Sequence, residues 1–286
     1  MLKTRIITAL VILPVVFIAL FSFPNWAWDL FTLAITLVAC WEWSRFCRLS
    51  NNGARAFFAI SLAGAAVVFF TYLGMTPLAF ETIASVGFIV SAVFWLLVAP
   101  LWLANTWRPI GGAATWIAAF TGWVVIFPTW LAFLSLYDLG PWMLLSFALI
   151  VWIADIAAYF VGKSIGKHKL APSISPGKTI EGAVGGIVGV GIYFFIWQHL
   201  AEIAVARGDD WARELHSHGW VLFAMFLLLG LVSIIGDLFE SWMKRGVGMK
   251  DSSSLLPGHG GILDRIDALT STLPLAGLYL LVMQKL

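Results

Sequence analysis

Nine long apolar stretches follow one another along this chain and limit what it can fold into. They cover about residues 6–23, 26–43, 57–74, 83–104, 113–136, 141–161, 181–203, 220–240 and 266–283. A helix needs roughly 20 mostly apolar residues to cross the hydrocarbon core of a bilayer. Inside that core, every backbone polar group has to be satisfied within the protein. The pattern therefore predicts an all-α, polytopic integral membrane protein with about nine transmembrane helices.

The composition excludes an ordinary soluble domain. Of the 286 residues, 61% are hydrophobic and only 11% are charged, whereas soluble domains carry about 25% charged residues. The 16 Trp and 22 Phe residues are typical of proteins that place aromatic side chains at the lipid interface. We therefore expect membrane lipids as the surroundings of this chain, and no nucleic-acid partner.

The distribution of Lys and Arg predicts an orientation. With the N-terminus in the cytoplasm, 14 of the 17 Lys and Arg residues fall in cytoplasmic segments, and only Arg207, Arg213 and Lys285 fall outside. Cytoplasmic loops of membrane proteins carry an excess of these residues. An odd number of spans then places the C-terminus on the opposite, periplasmic side.

Two polar loops emerge on the same cytoplasmic face, residues 162–180 and 241–265. We therefore divide the chain into residues 1–112, expected to anchor and pack, and residues 113–286, expected to form a catalytic region that contains both loops. Near the first loop, five glycines have small-xxx-small spacing, which lets helix backbones approach closely. These glycines are Gly182, Gly185, Gly186, Gly189 and Gly191. We interpret them as packing residues, because no nucleotide-binding glycine motif is completed here.

Acidic residues in or beside the apolar stretches are candidates for function, because charge inside a bilayer is costly. Asp155 lies well inside the sixth stretch, and Asp237 and Glu240 lie near the cytoplasmic end of the eighth. Two structural alternatives stay open. In these alternatives Glu240 is simply an interfacial residue, and Asp155 forms a structural bridge with a buried Lys or Arg.

Helical spacing places several polar residues on common faces. Asp237 shares a face with Ser241 and Lys244, and Asp264 shares a face with Asp267 three residues later. Five basic residues surround these carboxylates in the sequence: Lys178, Lys244, Arg245, Lys250 and Arg265. Carboxylates framed by cations indicate a site for a divalent metal and phosphate groups.

The segment 241–267 resembles the signature of the phosphatidate cytidylyltransferase family. The matching positions are Ser241, Lys244, Arg245, Lys250, Asp251, Ser253, Leu256, Pro257, His259, Gly260, Gly261, Asp264, Arg265 and Asp267. Further similarity lies at Ala154 and Asp155, at 166–172, at 175–179, and at Trp41, Glu42 and Trp43. The resemblance runs the length of the chain and is specific from about residue 150 onward.

This resemblance implies magnesium-dependent transfer of CMP from CTP to phosphatidate, giving CDP-diacylglycerol and pyrophosphate for phospholipid biosynthesis. It implies metal binding by Asp237 and Asp264, with Asp267 as a further candidate ligand, and leaves a second metal ion open. Lys244 is expected to join the two aspartates in catalysis. The residues expected to bind substrate are Lys178, Ser241, Arg245, Lys250, Asp251, His259 and Arg265. The resemblance also implies a homodimer in a bacterial inner membrane.

Two other classes of membrane protein fit this sequence less well. A transporter is disfavoured, because no inverted repeat is visible and the charges gather at one surface rather than at the midplane. A CDP-alcohol phosphotransferase is disfavoured, because the Asp-Gly-x-x-Ala-Arg opening of that family is absent.

The charge asymmetry predicts the outcome of reporter fusions. A reporter active only in the periplasm should be active when it is fused after Leu286 and silent when it is fused within 165–175, because the positive segments stay inside. Activity of each fusion in whole cells measures this. The reverse pattern would overturn both the orientation and the cytoplasmic placement of the site.

Overall fold

A computed structural model describes residues 2–74, 77–105, 114–208 and 218–283. Within these ranges the chain forms nine helical rods and one β-hairpin. The elements are α1 (Leu2–Ser22), α2 (Asn25–Ser44), α3 (Asn51–Gly74), α4 (Pro77–Val93), α5 (Ala99–Ala104), α6 (Ala114–Asp138), α7 (Pro141–Ile165), β1 (Lys169–Ala171), β2 (Ser175–Thr179), α8 (Ile180–Ala206), α9 (Gly219–Gly246) and α10 (Leu263–Met283). Helices α4 and α5 form one rod, because a π-helical stretch (Phe94–Val98) connects them.

The prediction of an all-α, multi-pass membrane fold is confirmed, and a helical rod lies at each of the nine apolar stretches. In the described part of the chain, seven helices are long and apolar enough to cross a membrane. The rods α1 and α2 are not among these seven, so the count of nine spans stays a prediction. Three residues used to predict the orientation, Arg108, Arg213 and Lys285, lie outside the described residues.

The two predicted polar loops are shorter than expected, because the neighbouring helices extend into them. Helix α7 continues to Ile165 and α9 to Gly246, while α10 begins at Leu263. Basic residues lie in the last turns of α7 and α9, where positive charge interacts favourably with the helix dipole. The predicted polar segments 162–180 and 241–265 therefore include helix ends, and their placement on the cytoplasmic side stays a prediction.

The α7–α8 loop contains an antiparallel hairpin of β1 and β2 that the sequence analysis did not predict. Its base is attached to the start of α8, where the Glu181 carboxylate accepts from the backbone N–H groups of Lys167 and His168 at 3.1–3.3 Å. Thr179 caps α8 by accepting from Gly182 N at 3.1 Å, a common way to satisfy a first-turn donor. The hairpin is therefore held against one helix end.

Helix α10 lies at the centre of the bundle and contacts α4, α6, α7 and α9. Its buried side chains run along most of its length, including Leu269, Leu273 and Ala276. Helices from the predicted anchoring part, residues 1–112, also pack against the predicted catalytic part, since α2 and α4 both contact α6. The division into two parts stays a prediction, but one core joins them.

The interpretation of the glycine run as packing residues is supported by the contact between α7 and α8. A Cβ atom added at Gly186 would lie 2.9 Å from the carbonyl oxygen of Ala154, and one at Gly189 would lie 2.6 Å from Ala157 Cβ. Real Cβ atoms essentially never come that close to their neighbours. Exposed apolar residues such as Val188 and Ile192 occupy other positions of α8. We call this close α7–α8 contact the glycine seam.

The glycine seam predicts opposite effects of two Gly→Ala substitutions. Gly186→Ala should lower the free energy of unfolding by about 1–3 kcal/mol, because the new methyl group overpacks the seam. Gly191→Ala is the matched control, since its Cβ would lie 3.6 Å from Leu227, and alanine favours the helix by up to about 1 kcal/mol. Thermal melting in detergent checks both. Equal stability of the two variants would contradict the seam.

Candidate active site

The loop between α9 and α10, residues 247–262, folds back over the start of α10. Gly258 and Gly260 have φ angles of 78° and 80°, a left-handed conformation that glycine adopts readily. The two turns let Leu256 pair with Gly260, with Leu256 N donating to Gly260 O at 2.8 Å. The signature segment is therefore a compact, hydrogen-bonded structure that we call the α9–α10 loop.

Asp264, in the first turn of α10, anchors this loop. Its Oδ2 accepts from Ser252 N at 2.8 Å, from Ser252 Oγ at 2.8 Å and from Gly261 N at 2.7 Å. Its Oδ1 accepts from Lys244 Nζ at 2.6 Å. Both side chains are buried, with Asp264 8% and Lys244 7% exposed. A buried charge is tolerated when it is paired and hydrogen-bonded, and this carboxylate is satisfied by loop and helix together.

Glu42 of α2 is a second anchor, and the sequence analysis did not name it as a site residue. It is fully buried and accepts from Ser253 Oγ at 2.6 Å and Ser252 Oγ at 3.2 Å. It also accepts from Ile262 N at 3.1 Å and Leu263 N at 2.7 Å, at the start of α10. The signal that could have found it is an acidic residue within an apolar stretch.

Asp237 connects α9 to the hairpin. Its Oδ2 forms an ion pair with Lys178 Nζ at 2.5 Å, and its Oδ1 accepts from Ser241 Oγ at 3.4 Å. The predicted common face of Asp237 and Ser241 is therefore confirmed. Asp237 and Lys178 are each 26% exposed at the side chain, so solvent and substrate can reach this pair.

Asp237 belongs to a group of four neighbouring carboxylates. The charge of Asp237 acts on both Asp155 and Asp267, and the charge of Asp267 acts on Glu240. Glu240 is only 3% exposed, so the alternative that it is simply interfacial is wrong. Lys244 Nζ lies 3.4 Å from Glu240 Oε2, yet within the described residues no donor makes a well-aligned hydrogen bond to either Glu240 oxygen. The helices α7, α9 and α10 thus concentrate negative charge at one end of the bundle.

Two cavities open at this end. The first, of about 440 Å³, lies between α7, α8 and the hairpin, and its walls include Asp155, Tyr159, Lys163 and Lys178. The second, of about 640 Å³, is lined by the α9–α10 loop and Arg265. Of the predicted substrate-binding residues, Lys178 lines the first cavity, and Lys250, Asp251, His259 and Arg265 line the second. The charge of Arg265 also acts on Asp155.

Arg245 is placed differently from the other predicted substrate-binding residues. Its Nε donates to Ile174 O at 3.4 Å and its Nη1 donates to Met249 O at 3.2 Å. It therefore joins the hairpin turn to the α9–α10 loop. Asp155, for which a structural bridge was an alternative, is influenced by the charges of Lys178 and Arg265.

The predicted metal ligands differ in what their oxygens already bind. Asp237 and Asp267 offer hard oxygen ligands of the kind that Mg²⁺ prefers, and the buried Glu240 lies beside them with Lys244 Nζ 3.4 Å from its Oε2. Asp264 accepts three hydrogen bonds at Oδ2 and the Lys244 ammonium at Oδ1, so a metal ion would bind its Oδ1 once Lys244 has moved to a substrate phosphate. Among the described residues, no group of three or more His, Cys, Asp or Glu side chains has the spacing of a complete metal site. The donor set therefore fits a cation that takes few protein ligands and completes its shell with substrate oxygens.

The described part of the chain is thus a bundle of long apolar helices that carries Lys–Asp ion pairs and two cavities lined by Lys or Arg at one end, an arrangement suited to binding anions. The sequence model of the cytidylyltransferase family matches residues 3–283. The chain therefore belongs to the cytidylyltransferase family, a family of nucleotidyltransferases.

Curated relatives agree with this family over nearly their whole length. The chain is 36% identical to the phosphatidate cytidylyltransferase of Pseudomonas aeruginosa over 278 residues, which cover 96% of this chain and 95% of the relative. It is 34% identical to the protein of the same name from Haemophilus influenzae, with 96% of each chain covered. The relative from Brucella suis is 36% identical over 97% of this chain and 93% of its own length.

The Glu42 contacts predict a strong effect of removing this carboxylate. Glu42→Ala leaves the Ser253 hydroxyl and two backbone N–H groups without their acceptor, so the free energy of unfolding should fall by about 3 kcal/mol or more. Thermal melting of the purified protein in detergent measures this. The matched control is Glu202→Ala, an exposed carboxylate in α8, whose effect should stay within about 0.5 kcal/mol. Equal melting of both variants would contradict the anchoring role.

Proposed function

We propose that this chain transfers CMP from CTP to phosphatidate, giving CDP-diacylglycerol and pyrophosphate. The observation that carries the proposal is the convergence of the signature segment with Lys178 and Asp237 at one end of the bundle, between two basic cavities. The relatives named phosphatidate cytidylyltransferase support the same reaction. A transporter is disfavoured, because most of these charges lie in the hairpin, the α9–α10 loop and the first turn of α10 rather than midway along the helices.

The two cavities suit the two substrates. We assign the lipid phosphate to the first cavity, because the apolar helices α7 and α8 form its walls beside Lys163 and Lys178. We assign the nucleotide triphosphate to the second cavity, because loop residues with Lys250 and Arg265 line it. Lys and Arg hold phosphate oxygens by charge and hydrogen bonds. The reacting groups would then meet between the cavities, beside Asp237 and Lys244.

The reaction needs alignment and charge neutralisation more than proton removal. An oxygen of the phosphatidate phosphate forms a new bond to the α-phosphorus of CTP, the bond from that phosphorus to the bridging oxygen breaks, and pyrophosphate leaves. A phosphate monoester has a second pKa near 6, so the attacking oxygen is largely ionised at pH 7 without a general base. Lys178 and Lys244 lie where they can offset the charge of the two approaching anions.

We propose Mg²⁺ as the cofactor, held by Asp237 and Asp264 with Asp267 as a further ligand. When bound, Mg²⁺ supplies neutralisation of phosphate charge and alignment of the attacking and leaving oxygens. Lys178 and Lys244 pair with two of these aspartates, and phosphate oxygens compete for the same ammonium groups. Because the protein offers few free ligands, Mg²⁺ affinity should rise when CTP is present. Binding of a second metal ion at this site is likewise a proposal.

We also propose the membrane, the orientation and the oligomeric state in which the enzyme works. The relatives are bacterial, and the charge pattern favours an inner membrane with the N-terminus and the site in the cytoplasm. A homodimer follows from the family resemblance. The helices long and apolar enough to span a membrane make the chain a multi-pass membrane protein.

The purified protein in detergent should convert labelled CTP and phosphatidate to CDP-diacylglycerol and pyrophosphate, and chelation of Mg²⁺ should stop the reaction. Asp237→Asn keeps the side-chain size but removes its charge, so activity should fall by more than the roughly 10–100-fold typical of outer-shell changes at metal sites. The matched control, Glu202→Gln, should keep full activity. Product identification by mass spectrometry and initial rates are the measurements.

Two results would contradict the proposal. If the folded wild-type protein makes no CDP-diacylglycerol, the proposed reaction is wrong. If Asp237→Asn and Asp264→Asn both keep near wild-type rates at limiting Mg²⁺, the reaction stands but the assignment of these aspartates as metal ligands is wrong.

A further inference from the structure

A third cavity, of about 530 Å³, lies at the opposite end of the bundle from the candidate active site. Its walls come from the start of α2, the end of α3, the start of α4 and the ends of α6 and α10. Helix α2 contributes Glu42 to the active site and Asp29 to this cavity, so the two sites are separated by about 20 Å along that helix at about 1.5 Å per residue. The proposed reaction has no part for this cavity.

Negative charge gathers in the third cavity without a matching positive charge. Asp29, Glu81 and Asp138 line it, and the charges of Asp29 and Asp138 act on each other. No Lys or Arg is present among the described residues that line the cavity. Tyr72 Oη donates to Asp138 Oδ2 at 3.2 Å, which satisfies one carboxylate oxygen but adds no positive charge.

Asp29 is the residue that points to a ligand. It is only 4% exposed, and among the described residues the one charge that acts on its carboxylate is that of Asp138, another anion. Burial of an unpaired charge in apolar surroundings is costly. The other buried carboxylates among the described residues have a donor or a cation close by. Glu42 accepts from Ser253 Oγ and two backbone N–H groups, Asp264 is paired with Lys244, and Glu240 has the Lys244 ammonium 3.4 Å from its Oε2. The cavity therefore presents a buried carboxylate in need of a positive partner.

The walls favour an organic ammonium group over a metal ion. The described residues hold no cluster of three acidic, His or Cys side chains with metal-site spacing. The cavity volume is within the range of roughly 300–1,000 Å³ of small-molecule sites. Trp26, Tyr72 and Phe80 stand in the walls beside the carboxylates, and aromatic rings attract ammonium groups through their faces.

We propose that the third cavity binds an ammonium group attached to an apolar body, with Asp29 and Asp138 as counter-ions. The carboxylates recognise the positive head, and the aromatic and aliphatic walls contact the apolar part. Two sources offer this chemistry, a lipid with an amino headgroup and a free amphiphilic amine. The site is separate from the cytidylyl-transfer site and independent of the assignment of function.

The test uses the purified full chain in detergent with n-dodecylamine, and n-dodecanol as the uncharged probe of the same length. Native mass spectrometry gives the dissociation constants. Wild type should bind dodecylamine, and Asp29→Asn and Asp138→Asn should each weaken binding by roughly tenfold or more, the loss expected for a charged hydrogen bond. Glu202→Gln is the control and should bind as wild type does. Dodecanol binding should not respond to any of these substitutions.

Phosphatidylethanolamine and phosphatidylglycerol distinguish the two sources. Loss of phosphatidylethanolamine binding in the variants, with phosphatidylglycerol unaffected, identifies a lipid headgroup, whereas a response of dodecylamine alone identifies a free amine. Both results support the site. Equal dodecylamine affinity in wild type and both Asp variants, or equal affinity for dodecylamine and dodecanol, would overturn it. Thermal melting like that of the wild type shows that the variants fold, and Asp138→Asn decides the test if Asp29→Asn does not fold.

Discussion

The carboxylate of Asp264 joins the end of α9, the α9–α10 loop and the start of α10. It is buried, so its charge has to be satisfied within the protein, and its donors come from Lys244, Ser252 and Gly261. Glu42 repeats this arrangement from α2, accepting from Ile262 N and Leu263 N. Negative charge is favourable at the start of a helix, where backbone N–H groups are free. The shape of the catalytic end thus depends on two buried anions that bind mainly loop and helix-start donors.

The apolar pattern was sufficient to predict the membrane fold because each span satisfies its own backbone and needs no distant partner. The same independence explains why the site residues on α9 were grouped correctly, since Asp237 and Ser241 are four residues apart on one helix. The glycine spacing could also be interpreted from the sequence alone, because glycines three or four residues apart lie on one helix face and leave that face without side chains. Local periodicity therefore predicted the helices, the shared face of Asp237 and Ser241 on α9, and the packing of α8.

Contacts between distant parts of the chain could not be predicted in this way. Glu42 lies 210 residues from Ser252, and helical spacing relates only residues on the same helix. The pairing of Lys178 with Asp237 depends on the hairpin, whose short strands leave a weak signal in a basic loop. The helix ends at Ile165 and Gly246 were missed for another reason. An apolar pattern marks only the apolar part of a helix, and the last turns of these two helices carry basic residues.

The glycine seam has a consequence for how the first cavity can adapt to its contents. Along the seam, α7 and α8 are in backbone contact, with few side chains between them to rearrange, so the two helices behave as one rigid body. The hairpin is attached to the start of α8 through Glu181, and to α9 through the Lys178–Asp237 ion pair and the Arg245–Ile174 hydrogen bond. Any widening of the cavity is therefore expected from movement of the hairpin rather than from separation of the two helices. The two long basic side chains that tie the hairpin to α9 would then limit how far it can move.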